Sequence, residues 1–323
     1  MRRHEKTEDL LKASSTYSDD KADKPSILGA LYITFLVLIG TLFMQFVFLI
    51  PLLINGMLTL DMFNLPPSEF SETLGIKGEA FILLAELIAL IICIKIAFHI
   101  QKIPFSIIGF KLNGYKTDAV LGALAGIIII TICFFLLVST GYISYTVQSF
   151  SLVPWVASCS LFLLVAVSEE ILCRGFIQGL LMRATTPYLA LFISSVIFMA
   201  LHLGNVNWTL ISLINLFLAG VTFGLYYLYT RNLWFPITLH FTWNLFQGTV
   251  FGFEVSGHKM ASWLAIVRTE NSLITGGKFG LEGSILVTAL EILLIVLIQL
   301  KFTSSKSTSN ERKLINLSPK ALR

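Results

Sequence analysis

Residues 165–176, VAVSEEILCRGF, place Glu169, Glu170 and Arg174 inside an otherwise apolar run. A charge at the centre of a bilayer costs from about 2.5 to more than about 10 kcal/mol. Whether this run spans a membrane or sits in a soluble core decides the fold. Of the 323 residues, 55% are hydrophobic and 13% are charged, where soluble domains carry about 45–50% and about 25%. With so little charge the chain cannot cover a water-facing surface. The run is therefore read as part of an all-α, polytopic transmembrane helix bundle, an integral multi-pass protein of the cell membrane.

A span needs about 20 mostly apolar residues. That rule predicts about eight, near 27–53, 80–99, 119–142, 152–182, 188–204, 207–229, 233–253 and 283–301. The fourth is longer than a bilayer requires and should tilt or project. The amphipathic connection at 100–116 is read as lying in the interface. Basic residues set the orientation, because short cytoplasmic segments collect Lys and Arg. With both termini cytoplasmic, 18 basic residues fall inside, four fall outside (Lys77, Lys259, Arg268, Lys278), and Arg174 lies at membrane depth.

The chain then divides into a polar cytoplasmic tail (1–26), a membrane-embedded helical domain (27–301, motif-bearing core 119–253) and a basic, Ser-rich cytoplasmic tail (302–323) expected to be disordered. The first 26 residues lack the apolar stretch of a signal peptide, so the first apolar segment is read as a retained span. The net charge of +4 sits largely in the two ends. It reads as cytoplasmic retention charge, with the bilayer and not nucleic acid as the partner. Four cysteines (Cys93, Cys133, Cys159, Cys173) lie in apolar segments without CxxC spacing, so no disulfide framework is expected.

The informative polar residues sit at membrane depth. Glu170 and Arg174 are i,i+4 with the acid first, the favourable order for a pair on one helical face. Glu169 is rotated about 100° away, with Cys173 as its next neighbour on that face. His240 and Asn244 share a face of the seventh helix, and Phe198 and His202 a face of the fifth. Each group is costly to bury alone, so the expected arrangement is a shared polar pocket. Glu291 and Asn215 have no evident companions and are read as structural.

Three chemistries fit these parts. A desolvated Glu169 can act as general base toward water, with a His and an Asn amide as donors to an oxyanion. Glu169, His202 and His240 could instead hold zinc, although HExxH is missing and Asn is a poor zinc ligand, so metal-independent chemistry is preferred. A Cys173 nucleophile is disfavoured by the neighbouring carboxylate, which weakens a thiolate.

Glu-Glu-x-x-x-Arg at 169–174, Phe-x-x-x-His at 198–202 and His-x-x-x-Asn at 240–244 together resemble the three motifs of the CAAX-protease and bacteriocin-processing (CPBP/Abi) family. The resemblance implies an intramembrane endopeptidase acting on a membrane-associated or lipidated peptide or protein, annotated in that family either as a glutamate protease or as a metalloendopeptidase. It implies that Glu169 activates water with help from His202, that His240 and Asn244 form the oxyanion hole, and that Glu170 and Arg174 support them. It also implies a cavity open to the cytosolic side and no cofactor, zinc being the alternative. The competing readings are a non-catalytic binding protein, for bacteriocin self-immunity or scaffolding, and a proton-coupled carrier, which the lack of internal repeats disfavours.

Overall fold

The computed structural model describes residues 25–65, 67–149, 151–269 and 272–317. Nearly all of the expected N-terminal tail lies outside them. The principal helices are α1 (Ile27–Ile54), α2 (Pro67–Ile100), α3 (Lys116–Ser139), α4 (Leu152–Glu170), α5 (Pro187–Leu201), α6 (Leu210–Thr230), α7 (Trp234–Asn244) and α8 (Ile285–Leu317). Helix α2 is broken at Gly75, whose φ of 66° needs a residue without Cβ. Helix α4 does not stop at Glu170: it widens into a π-helix at Ile171–Gln178, then runs on as an α-helical turn to Ala184.

Among the described residues, seven helices are long and apolar enough to cross a membrane. The protein is a multi-pass integral membrane protein. The expected span at 233–253 is the exception: α7 continues only as a π-helix through Val250 before the chain turns at Gly252 (φ 78°).

Two expectations about connecting segments are corrected, and one small element is added to the expected fold. Residues 302–317 continue α8 and do not form a disordered tail; 318–323 lie outside the described residues. The all-α bundle carries one small antiparallel sheet, β1 (Ile143–Val147) with β2 (Leu264–Arg268), in register Ile143 with Arg268. The connection at 100–116 is not merely laid on the membrane interface. Ile103 and Ile108 are buried, Gly109 O accepts from Leu233 N at 3.0 Å, and the Asn232 amide donates to Lys111 O at 2.7 Å.

The bundle has two distinct ends. At one end lie the start of α1, the 101–115 connection, the α6–α7 turn and the far part of α8, where Lys301 Nζ donates to the Tyr226 hydroxyl at 2.9 Å and Phe302 stacks on Tyr229. At the other lie β1, β2, the α5–α6 connection and the long connection from α7 to α8.

Helices α3 and α7 pack backbone to backbone. A Cβ on Gly122 would meet the Phe235 carbonyl, and one on Gly126 would lie 2.7 Å from Leu239 O and 2.9 Å from Trp243 N. Thr238 and Thr242, on the facing helix, donate to Ala119 O (2.7 Å) and Ala123 O (3.0 Å). Small residues at four-residue spacing are how membrane helices approach closely without a hydrophobic driving force. Leu239 and Trp243 flank His240 and Asn244 in sequence, so this contact also sets where those two side chains point. Gly126→Val is expected to cost about 1–3 kcal/mol through overpacking, measured as a lower thermal midpoint in detergent. An unchanged midpoint would show that the contact is slack.

Candidate active site

Glu169 lies in the last turn of the regular part of α4 and looks into a cavity of about 1700 Å³. His202, His240 and Asn244 line the same cavity. The four residues expected from three separate helices are thus brought to one wall, while Glu170 and Arg174 lie behind it in the core, 0% and 1% exposed.

The side chain of Glu169 is 30% exposed to the cavity, and its Oε2 stands 3.8 Å from His202 Nε2. That separation is too long for a direct hydrogen bond, and this oxygen has no hydrogen-bond partner. His202 caps the C-terminal end of α5, and its Nδ1 donates to Phe198 O at 2.8 Å. A carbonyl can only accept, so Nδ1 carries a proton, and in the neutral form of the ring Nε2 is the lone pair that faces Glu169. The wall therefore offers two proton acceptors facing each other across a gap.

Glu170 Oε1 accepts from Arg174 Nη1 at 3.0 Å and from His240 Nδ1 at 3.1 Å. The i,i+4 pair forms as expected, and it has a third member that helical spacing could not reveal. Arg174 also donates to Gly220 O at 3.4 Å, with its guanidinium over the Phe198 ring (4.2 Å) and the Phe223 ring (4.9 Å). His240 stacks on Phe223, with centroids 5.3 Å apart and planes 14° apart. Glu170 and Arg174 thus fix the His240 ring by charge, and the aromatics fix it by shape.

Two of the three motif-bearing helices become π-helical at their motifs, α4 from Ile171, between Glu170 and Arg174, and α7 from Leu245, directly after Asn244. Such segments recur at functional sites, where a widened turn re-aims side chains. Gly175, inside the first, sits against Ile108 with no room for a side chain.

The sequence reading passed over two carboxylates. Glu86 on α2 lines the cavity and interacts electrostatically with Glu169; a lone carboxylate inside the apolar run 80–99 was the available signal. Glu282 lies behind the wall, in a small pocket shared with His202, His240, Asn244 and Glu291. Its Oε2 accepts from Ser256 N at 2.6 Å and Ser256 Oγ at 3.1 Å. Burial raises the Glu282 carboxyl above the usual glutamate range, while the Ser256 amide and both histidines pull it back. Nothing in the sequence connects residue 282 with residue 256. Asn215 proves structural, its amide holding Glu282 O (2.8 Å) and Ser284 O (2.9 Å).

Residues 151–246 match the family described as type II CAAX prenyl endopeptidase Rce1-like. Over this segment, less than a third of the chain, the protein is similar to that family of CAAX proteases. The segment contains all three motifs and lies within the 119–253 core. No curated protein and no solved structure matches the chain. The similarity supports a membrane-embedded endopeptidase acting on peptide or protein substrates.

The zinc alternative can be tested against the side chains. Among the described residues, no three His, Cys, Asp or Glu side chains are grouped to hold a metal ion. Glu169 approaches His202, and His240 holds its Nδ1 on Glu170, which leaves Nε2 uncommitted.

Proposed function

We propose that this protein cleaves a peptide bond with a water molecule activated by Glu169 and His202. The observation that carries the reading is the pair of acceptors, Glu169 Oε2 and His202 Nε2, facing each other at 3.8 Å in the cavity wall. A water held by both donates one hydrogen bond to each, which leaves an oxygen lone pair free to attack a carbonyl carbon. Glu169 takes the proton released as the C–O bond forms, and returns it to the amine as the C–N bond breaks. His202 holds the water in line.

The negative oxygen of the tetrahedral intermediate needs donors. The Asn244 amide supplies one. His240 supplies another only if Nε2 carries a proton while Nδ1–H is held by Glu170. That requires the imidazolium, and the Glu170 carboxylate is the counter-charge such a cation needs. The roles inferred for Glu170 and Arg174 follow: they hold and charge-balance His240 without touching substrate. The cavity, lined by Leu38, Leu42, Leu83, Leu161 and Val165 among others, exceeds the roughly 300–1,000 Å³ of small-molecule sites and suits an extended apolar segment or a lipidated one.

The test is hydrolysis of quenched peptides by purified protein, with and without a strong chelator. Chelator-insensitive cleavage is expected. Asn244→Ala is expected to lose about 10²–10³-fold in kcat, the usual effect of removing one oxyanion donor. Unaltered kcat in that variant would remove Asn244 from the mechanism, and loss of wild-type cleavage on chelation would return the metal reading.

A further inference from the structure

The cavity rim lies at the opposite end of the bundle from the start of α1 and the far part of α8, and this bears on where the substrate comes from. Apart from Leu42 and Leu201 on their helices, the exposed lining of the cavity is a rim of Asn207, His258, Lys259, Ala261 and Lys278. All five belong to the α5–α6 connection or the α7–α8 connection, at the end that carries β1 and β2. Toward the other end the cavity is closed. Below Glu169 the chain is packed solid by Ile171, Phe176, Ile177 and Leu180 against Ile108 and Leu233, each at most 4% exposed. A peptide reaching Glu169 therefore enters from the β-sheet end.

The charge distribution says which end that is. Of the 22 basic residues outside Arg174, 18 lie in the tails or near the turns at the terminal end, and four lie at the β-sheet end. Three of those four, Lys259, Arg268 and Lys278, are in the α7–α8 connection. Short segments rich in Lys and Arg stay cytoplasmic. The terminal end is then cytoplasmic and the rim faces away from the cytosol.

We propose that the site is entered from the extracytoplasmic side and that its substrate is the membrane-associated segment of an exported peptide or protein. This is opposite to the cytosolic opening implied by the sequence resemblance. The substrate class rests on the endopeptidase reading above; the side of entry does not. An exported chain held at the outer leaflet by an apolar stretch meets the rim directly, and its apolar part continues along the cavity wall toward Glu169. A cytosolic lipidated C-terminus meets the sealed face.

The test uses the full chain with Cys93, Cys133, Cys159 and Cys173 replaced, carrying one new cysteine at the rim (Ala261→Cys, or Lys259→Cys) or on the opposite face (Asn113→Cys). In intact bacterial cells a membrane-impermeant maleimide is expected to label the rim cysteine, and to leave Cys at 113 unlabelled until lysis. Labelling at 113 before lysis, or a rim protected until lysis, overturns the proposal. In purified protein a bulky maleimide adduct at 261 is expected to abolish peptide cleavage, and one at 113 to leave it intact; the reverse pattern also overturns it. Labelling needs no catalysis, so a wrong orientation and a wrong protease reading fail separately.

Discussion

Glu169→Gln is expected to lower peptide cleavage by about 10²–10⁴-fold, the range that general acid–base catalysis supplies, with expression and thermal midpoint unchanged. Glutamine has nearly the same volume as glutamate, and the Glu169 side chain is partly exposed to the cavity and not locked in the core. The substitution removes only the ability to accept and return a proton. Glu170→Gln, one residue away, should behave in the opposite order. Its carboxylate is fully buried between Arg174 and His240, so it should first lose folded protein and only then activity. The contrast matters because the two residues are adjacent and chemically identical. Full activity in Glu169→Gln would sink the water-activation mechanism and favour a binding role.

Much of this was legible because the membrane penalises polar residues. Glu169, Glu170, Arg174, His202, His240 and Asn244 stood out against apolar runs, and helical spacing correctly paired Glu170 with Arg174. Spacing could go no further, since it describes one helix at a time. The bond from His240 to Glu170 crosses between helices, and periodicity does not encode it. The two π-helical segments were hidden for a related reason. Their residues are ordinary helix formers, and what widens the turn is packing, such as Gly175 against Ile108. Glu282 was illegible because its partner, Ser256, is reached through an irregular connection. The helical continuation through 302–317 was missed because a Ser- and Lys-rich composition resembles a solvated tail, and here it extends a span already formed. The side on which the cavity opens needed both sources: sequence supplies the charge bias, and only the fold shows that the rim lies at the opposite end from the start of α1 and the far part of α8.

The second large effect concerns stability. Arg174→Met should cost about 3–5 kcal/mol, the usual result of stranding one partner of a buried ion pair, and should appear as a large fall in thermal midpoint. Methionine fills similar length between Phe198 and Phe223, so the loss is mainly electrostatic. Glu170 would keep only His240 as a partner. Replacing both members, Glu170→Met with Arg174→Met, removes the stranded charge, and such exchanges are often neutral or stabilising. The double variant should therefore regain most of the wild-type midpoint. Cleavage should not return with it. His240 would have lost the acceptor on Nδ1 and the counter-charge that lets Nε2 donate, a loss of about 10²–10³-fold if it removes one oxyanion donor. Recovery of stability without activity separates a pair that orients a catalytic ring from a pair that only packs two helices. If activity returned along with the midpoint, Glu170 and Arg174 would be packing elements, and His240 would hold its position through Phe223 alone.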